Sequence, residues 1–360
     1  MRYLLAAEAD KIQDFIFRSS RLREVVGASQ LLSRFCRSVE DTLARGYGGD
    51  VVVNDGGSFR VIFEGDNAKQ KAVSFGADLV ELYRLSLGGS LSVAEPVEMN
   101  GNFRAANEDA GKKLRRAKSR RQGVVAEVHM PYVAFCASCG VALAIEHGRL
   151  EREPNDARPR YLCSSCQIKA IERATNRNDL LGEFLTAVIG DQSAVSDYEC
   201  PSDADEVTRY DRRSYVAYLI ADGNGMGQLF GKFDTPGRLR DFSSALTKAV
   251  RESLAVPTRL VRNHTTLLSS EDARLVPVLP LILGGDDLFA LIPAPYSLDF
   301  ARRFCLSWED QLRQLVKTAG LTIGQGKDKV PCPTVAAAVV ICKSKYPYAL
   351  AHKRAEELLK

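Results

Sequence analysis

The same order of predicted segments occurs twice in this chain, on either side of a cysteine-rich middle. Strand, helix, hairpin, helix, strand and helix are predicted through residues 2–121 and again from residue 215 to the end. Apolar residues at helical spacing mark the helix predicted at 237–256. The strand 334–342 is apolar throughout, which predicts a central strand. Each copy has the β-α-β-β-α-β order of a ferredoxin-like unit, so the expected fold class is α+β with an internal repeat.

The second predicted hairpin has an acidic tip. Gly284 and Gly285 interrupt an apolar run and supply the turn, and Asp286 and Asp287 follow directly. A third carboxylate, Asp222, ends the strand predicted at 215–221. Three carboxylates at one sheet edge suit hard divalent cations such as Mg²⁺ or Mn²⁺. A solvated acidic turn is the alternative interpretation.

The first predicted hairpin lacks this acidic tip. Gly56 and Gly57 are followed by Ser58 and Phe59 where the second copy has its two aspartates. We therefore expect the first copy to have the same scaffold without holding catalytic metals itself. It remains available as the opposite wall of a site.

Four of the nine cysteines form two closely spaced pairs. Cys136 and Cys139 make one Cys-x-x-Cys knuckle, and Cys163 and Cys166 make the other. Two knuckles separated by a loop predict a tetrahedral zinc site, which is structural because four thiolates leave no open position. A redox motif is the alternative. We expect the other cysteines to be small core residues: Cys36, Cys200, Cys305, Cys332 and Cys342.

Composition favours an intracellular, cytoplasmic protein with no membrane partner. The apolar share is 45%, and no apolar run has the length of a membrane span. No signal peptide is recognised at the N-terminus. The net charge of +4 says little about partners. The basic run 112–121 fits either a nucleic-acid contact or a solvated helix end.

Several motifs together resemble the palm region of the type III CRISPR large subunit, a polymerase/cyclase related to GGDEF nucleotide cyclases. They are the segments 12–17 and 22–32, the two cysteine knuckles, residues 222–227 and 284–287, and Lys345-Tyr346-Pro347. The resemblance implies two ferredoxin-like palm domains bridged by a zinc ribbon. The expected segments are a degenerate first palm at 1–125, a ribbon and helical insert at 126–190, a linker at 191–213 and a second palm at 214–360.

The family's HD nuclease and C-terminal helical domains have no counterpart in this sequence, which contains no His-Asp dipeptide. We therefore expect no nuclease activity. The chain is then either a minimal standalone member or a part of a longer protein.

The resemblance implies nucleotidyl transfer in antiviral defence. ATP would be joined through 3′–5′ bonds and closed into a cyclic oligonucleotide, with Asp222 and Asp286 or Asp287 holding two Mg²⁺ or Mn²⁺ ions. Lys345 would neutralise the β- and γ-phosphates, and Ser29 would reach a second nucleotide from the first palm. The expected nucleotide-binding residues are Gly223, Asn224, Gly225, Met226, Gly227, Gly284, Gly285, Lys345 and Ser29.

The implied partners are nucleoside triphosphates and either CRISPR effector subunits or RNA. A homodimer through the second palm stays open. Two other functions remain as alternatives. One is a non-catalytic, nucleotide-binding scaffold subunit of a type III CRISPR complex, and the other is a GGDEF-type dinucleotide cyclase.

Overall fold

A computed structural model describes most of the chain, in two packed units. It covers residues 1–19, 21–120, 134–148, 159–175, 180–211, 213–264, 274–324 and 329–359. The first unit comprises Met1–Asn176 with Phe233–Arg240, and the second comprises Arg177–Lys232 with Asp241–Lys360. Parts of the predicted insert, residues 126–133 and 149–158, lie outside the described residues. The predicted segment boundaries at 125, 190 and 213 stay predictions.

The first unit contains a ferredoxin-like sheet followed by the cysteine-rich ribbon. Its antiparallel strands lie in the order β2-β3-β1-β4, and β5 also pairs with β1. A π-helical turn at Val39–Ala44 extends α2. The elements are β1 (Arg2–Asp10), α1 (Ile12–Phe17), α2 (Leu22–Ser38), β2 (Gly49–Asp55), β3 (Ser58–Glu64), α3 (Ala68–Leu87), β4 (Ser90–Val93), β5 (Val97–Glu98), α4 (Phe103–Arg120), β6 (Glu146–Gly148), β7 (Arg160–Leu162) and α5 (Ser164–Thr175).

The second unit contains the second ferredoxin-like sheet, with its antiparallel strands in the order β11-β8-β10-β9. The elements from residue 180 onward are α6 (Leu180–Ile189), α7 (Ala204–Val207), β8 (Tyr215–Asn224), α8 (Met226–Phe230), α9 (Pro236–His264), β9 (Leu279–Gly284), β10 (Asp287–Pro293), α10 (Ser297–Thr318), β11 (Thr334–Lys343) and α11 (Tyr348–Leu359).

The two sheets have the same topology. In each, the first strand pairs with the second strand of the hairpin on one side and with the last strand on the other. A left-handed residue follows each first strand and precedes a short helix: Lys11 with φ +49° and Gly225 with φ +74°. The predicted α+β class with its internal repeat is therefore confirmed.

The last strand differs from its prediction. β11 lies at the edge of the second sheet rather than in its centre, and most of its residues are half-buried or exposed. Its continuous apolar sequence has another cause, because both α10 and α11 pack against it. Apolar side chains on both faces are therefore useful even at an edge.

The predicted linker at 191–213 stays a prediction. Within the second unit Tyr210 is buried, and its hydroxyl donates to the Leu275 carbonyl over 3.0 Å. Burial corrects one further expectation. Of the five cysteines expected in the core, Cys332 is exposed. Among the described helices, none has both the length and the apolarity of a membrane span.

Helices α2 and α5 approach each other closely in the first unit. An ideal Cβ placed on Gly27 would lie only 1.9 Å from the Lys169 carbonyl oxygen. Lys169 itself is buried, with its ammonium 4.1 Å from the centre of the Phe15 ring and donating to the Phe15 carbonyl oxygen. The helix that carries Cys166 is thus held directly against the N-terminal helices.

Gly27→Ala should therefore destabilise the protein, because a methyl group would force the two backbones apart. Overpacking of this kind costs about 1–3 kcal/mol. Gly111→Ala in α4 is the matched control, since its nearest atom is 3.9 Å away and the added methyl fits. Urea unfolding should show a lower midpoint for Gly27→Ala and an equal or higher one for Gly111→Ala. Equal midpoints for the two variants would contradict the close approach.

Candidate functional site

The acidic tip forms at one end of the second sheet. β10 pairs with β8 up to Leu288 opposite Ala221, and this register places Asp287 opposite Asp222. The hairpin closes with a two-residue turn, Gly285 and Asp286, because Asp287 pairs with Gly284. Gly285 has φ +61°, the conformation required at the first position of a tight hairpin turn of type II′. The structure thus brings Asp222 and Asp287 together and puts Asp286 in the adjoining turn.

The carboxyl groups of this tip repel one another. Burial raises the pKa of Asp287 to about 7, and the charges of Asp286 and Asp222 and a hydrogen bond with Asp222 add to the rise. Burial also raises the pKa of Asp286 to about 6, with a contribution from the Asp222 charge. Asp287 is nevertheless exposed to solvent, and Asp286 is half-buried. A hydrogen bond between two carboxyl groups requires a proton between them, which marks the pair as a site for a positive charge.

The donor set fits a divalent cation that is shared with a substrate. Within the described residues, the four cysteines are the group of three or more ligating side chains close enough to hold an ion, and the three aspartates do not form such a group by themselves. Mg²⁺ is commonly bound by one or two carboxylates together with substrate phosphates and water. The Asp222–Asp287 pair, with Asp286 beside it, matches that kind of open site.

An aromatic stack lies behind the acidic pair. Tyr218 and Phe289 are nearly parallel, with ring centres 5.7 Å apart, and the His352 ring meets Phe289 edge-on at 4.7 Å. Burial lowers the pKa of His352 to about 4, so the imidazole is neutral at physiological pH. These rings join β8, β10 and α11 and hold the two strands in register.

The glycine loop after Asp222 combines crowded and open positions. A Cβ on Gly223 would lie within 3.0 Å of Met226, Trp308 and Asp286 atoms, so packing requires glycine there. Gly225 needs its positive φ, and a Cβ on Gly227 would meet nothing within 4 Å. The Met226 side chain is buried and is therefore not offered to a ligand. Asn224 donates to the Thr334 hydroxyl over 3.0 Å.

Lys345 lies at the other end of the second sheet. β11 is antiparallel to β8, so Lys343 pairs with Tyr215 whereas Ala336 pairs with Asp222. Ala336 and Lys343 are seven residues apart along β11, which corresponds to about 24 Å. Lys345 is exposed and forms an ion pair with Asp205. The structure therefore does not bring Lys345 to the acidic tip.

Ser29 lies near the middle of α2 in the first unit, where it is buried. Its predicted nucleotide contact stays a prediction.

Lys345→Ala should leave nucleotide turnover within about twofold of wild type, because the lysine is too far along the strand to contact phosphates bound at the aspartates. The thermal midpoint should also change little, since an exposed ion pair contributes little to stability. Turnover assays at several ATP concentrations would test this expectation. A large rise in the KM for ATP in the variant would contradict this expectation and support the phosphate contact predicted for Lys345.

The corresponding positions of the first unit are occupied differently. Its hairpin turn is Gly56-Gly57, with Asp55 paired to Ser58. By position in the turn, Gly57 corresponds to Asp286 and Ser58 to Asp287, one residue away from the alignment expected from the glycine pairs. Glu8 lies opposite Ser58 and forms a 2.5 Å ion pair with Lys118. A lysine from the basic run thus pairs with the Glu8 carboxylate at this end of the first hairpin.

The four cysteines of the knuckles form a compact, buried cluster. Their sulfur atoms lie within 4.8 Å of one another, and Cys139 and Cys163 are 3.9 Å apart. A tetrahedral zinc with bonds of about 2.3 Å would require sulfurs about 3.8 Å apart, so the cluster fits that ion. Gly140 has φ +67°, and its amide donates to the Cys136 carbonyl, closing the first knuckle as a tight turn. The cluster is compatible with the predicted zinc ribbon.

Polar side chains connect this cluster to the first unit's helices. The Ser19 hydroxyl lies 3.5 Å from the Cys166 sulfur, and the Ser138 hydroxyl, between Cys136 and Cys139, donates to the buried Glu24 carboxylate. Contacts of this type orient metal ligands from outside the coordination sphere.

Trp308 is the site residue that the sequence did not indicate. It is the only tryptophan of the chain and lies on the buried face of α10. Its ring contacts Gly223 at the acidic tip. Trp308 recurs at four-residue spacing with Phe304 and Leu312 on the buried face of α10, a pattern that indicates a core position but not this contact.

Comparison with known proteins gives a family match for the C-terminal part of the chain. Residues 215–360 match the model of the Cas10/Cmr2 second palm domain. No curated protein sequence matches the chain.

Solved structures share the fold over nearly the whole chain. Csm1 from T. onnurineus is 15% identical, with a TM-score of 0.57 over 99% of this chain and 51% of that one. A Csm1-Csm4 cassette in complex with cA3 is 16% identical, with a TM-score of 0.57 over 99% of this chain and 52% of that chain. A cassette in complex with one ATP is 15% identical, with the same TM-score and coverage.

The chain therefore spans about half the length of the solved chains that it matches. Residues 215–360 match the Cas10/Cmr2 second palm domain, and the predicted resemblance of the chain to the palm-containing region of the type III CRISPR large subunit is confirmed.

Proposed function

We propose that this chain is a metal-dependent nucleotidyltransferase that makes cyclic oligonucleotides from nucleoside triphosphates, with ATP as the favoured substrate. The observation that carries the proposal is the Asp222–Asp287 pair, with Asp286 in the adjoining turn of a Cas10/Cmr2 second palm domain. Relatives of the same fold have been solved with cA3, cA4 and ATP, and these ligands are named for those proteins. They support adenine nucleotides as the class to test first.

Asp222 and Asp287 would hold the divalent cations, with Asp286 contributing from the turn. When bound, Mg²⁺ or Mn²⁺ would lower the pKa of an attacking ribose hydroxyl and neutralise charge on the triphosphate. The pKa of Asp287 is raised to about 7, first by burial and then by its acidic neighbours, so cation binding there is coupled to loss of its proton. Above pH 7 the carboxylates are increasingly available as ligands.

The loop after Asp222 offers room and backbone donors for phosphates. Gly225 and Gly227 are exposed, and the space where a Gly227 side chain would point is open. Backbone N–H groups of glycine-rich turns are suitable donors to phosphate oxygens. Gly223 acts differently, since its missing side chain is needed for packing against Trp308 and Asp286.

The proposal includes a structural zinc at the four cysteines and a protein partner. The solved relatives include Csm1-Csm4 cassettes, so a Csm4-like subunit is the partner to test. Activity in antiviral defence belongs to the same proposal and rests on the family resemblance. The cytoplasmic location rests on composition, and a homodimer through the second palm stays open.

The direct test is incubation of the purified chain with each nucleoside triphosphate and Mg²⁺ or Mn²⁺, followed by mass spectrometry. The expected product is a cyclic or linear oligoadenylate that disappears in the Asp286→Asn/Asp287→Asn variant. A guanine dinucleotide would favour the GGDEF-type alternative. Nucleotide binding without any product, also after addition of a Csm4-like subunit, would favour the scaffold alternative and overturn the proposed activity.

A further inference from the structure

Trp308 packs where the two strands that carry the aspartates meet. It is 1% exposed and continues a buried stripe on α10 formed with Phe300, Phe304 and Leu312. In an ordinary core this ring would only fill volume between helix and sheet. Its neighbours here are instead the backbone and side chains of the acidic tip.

The contact between Trp308 and the acidic tip lies at Gly223. An ideal Cβ on Gly223 would lie 2.9 Å from Trp308 Cζ2 and 3.0 Å from the Asp286 Cβ. The same point lies 2.9 Å from the Met226 Cγ. The edge of the indole, the Asp286 turn and the start of the glycine loop therefore converge on Gly223, the residue directly after Asp222. Movement of the ring would move Asp286 or the backbone that carries Asp222.

The indole nitrogen supports a role beyond filling space. Within the part of the chain that the structure describes, the buried Trp308 Nε1 has no hydrogen-bond partner. Leaving a buried donor unpaired costs about 1–3 kcal/mol, and nearly all buried polar groups avoid it. A leucine or phenylalanine would fit an apolar stripe without that cost. The presence of tryptophan therefore indicates that the shape of the indole ring matters at this position.

We propose that Trp308 is a positioning residue of the acidic site, whose indole edge sets the separation between the Asp286 turn and the Asp222 strand and so determines the affinity for the divalent cation. This inference rests on the proposed function, because it assumes that the aspartates bind a cation. Gly223 is the complementary element, since any side chain there would occupy the place of the indole edge.

The test measures Mn²⁺ binding rather than turnover. Electron paramagnetic resonance of free Mn²⁺ gives the affinity of each variant, with and without a non-hydrolysable ATP analogue. Trp308→Ala should weaken aspartate-dependent binding at least tenfold, and Trp308→Phe should weaken it less. Phe304→Leu, one turn earlier on the same buried stripe, is the control and should change the affinity less than twofold while lowering the thermal midpoint.

A double-mutant cycle separates positioning from general loss of stability. Gly223→Ala alone should weaken Mn²⁺ binding, because its methyl group displaces the indole or the Asp286 turn. Combined with Trp308→Phe, the methyl group would occupy the space that the smaller ring vacates, so part of the affinity should return. Additive losses would overturn the proposal, and each variant should be measured well below its own melting temperature.

The single tryptophan offers an independent readout in the wild type. Bound Mn²⁺ should quench Trp308 fluorescence, and this quenching should disappear in Asp286→Asn/Asp287→Asn. Unchanged Mn²⁺ affinity in Trp308→Ala, with quenching present in the wild type, would overturn this inference alone. Absence of any aspartate-dependent Mn²⁺ binding would overturn the inference together with the proposed metal site.

Discussion

Asp286→Asn/Asp287→Asn should abolish oligonucleotide formation and at the same time raise the stability of the metal-free protein at pH 8. Loss of the cation ligands removes several kcal/mol of charge stabilisation in the transition state, which corresponds to a rate loss of about 10³-fold or more. The gain in stability has a separate cause, because the variant no longer brings partly desolvated and mutually repelling carboxylates into the fold.

The sign of this stability effect follows from the raised pKa values. The pKa of Asp286 rises to about 6 and that of Asp287 to about 7, so the fold favours their protonated forms. Their stabilising contribution is complete below pH 4 and is lost as the pH rises through 6 to 7. After a discount for solvent screening, the variant should gain on the order of 1 kcal/mol at pH 8, or roughly 2 °C in thermal midpoint, and nothing at pH 4.

Thermal unfolding in EDTA at pH 4, 6 and 8 would measure this effect. Asp241→Asn, an exposed aspartate on α9, is the matched control and should leave both turnover and the pH profile unchanged. Retained turnover in the double variant would remove the aspartates from the proposed mechanism. A lower midpoint at pH 8 would show instead that the carboxylates stabilise the fold in their charged form.

Cys136→Ser should release zinc and cause the largest loss of stability among the substitutions considered. Apparent binding free energies of structural zinc reach about 10–16 kcal/mol in small domains, whereas ordinary substitutions cost about 0.5–3 kcal/mol. The effect should reach beyond the ribbon, because Ser19 and Glu24 of the first unit contact Cys166 and Ser138 of the cluster. We therefore expect the first unit to lose its cooperative unfolding transition.

Zinc content and calorimetry would be measured on the same sample. Cys200→Ser is the matched control, since Cys200 is buried and belongs to the second unit, whereas both knuckles belong to the first. It should retain a full complement of zinc and shift the midpoint only slightly. Full zinc occupancy in Cys136→Ser, with an unchanged midpoint, would be incompatible with a structural four-cysteine site.

Local patterns in the sequence were sufficient for the repeat and for the cysteine cluster. Amphipathic spacing and glycine turns depend on neighbouring residues, so the hairpin turn at Gly284 and Gly285 and the order of elements in each copy were predicted from the sequence. Each Cys-x-x-Cys knuckle is also local, and only the meeting of the two knuckles required the fold.

Properties that depend on the order of strands in the sheet could not be predicted from local sequence patterns. The apolar run of β11 fits a central strand as well as an edge strand covered by two helices, and the sheet has the second arrangement. The same antiparallel pairing carries Lys345 away from Asp222 although both residues flank predicted strands. The contact of Trp308 with Gly223 joins residues far apart in the chain, and no local pattern encodes it.

The turn of the first hairpin limits how the two copies can diverge. Both of its central residues, Gly56 and Gly57, have positive φ, and a Cβ on Gly57 would lie 3.0 Å from Ala9 and Ile12 side-chain atoms. In the second hairpin only Gly285 requires that conformation. An aspartate at position 57 would therefore need a different turn type and new space at once. The first hairpin therefore holds position 57 as glycine, and a counterpart of Asp286 there requires a rebuilt turn rather than one substitution.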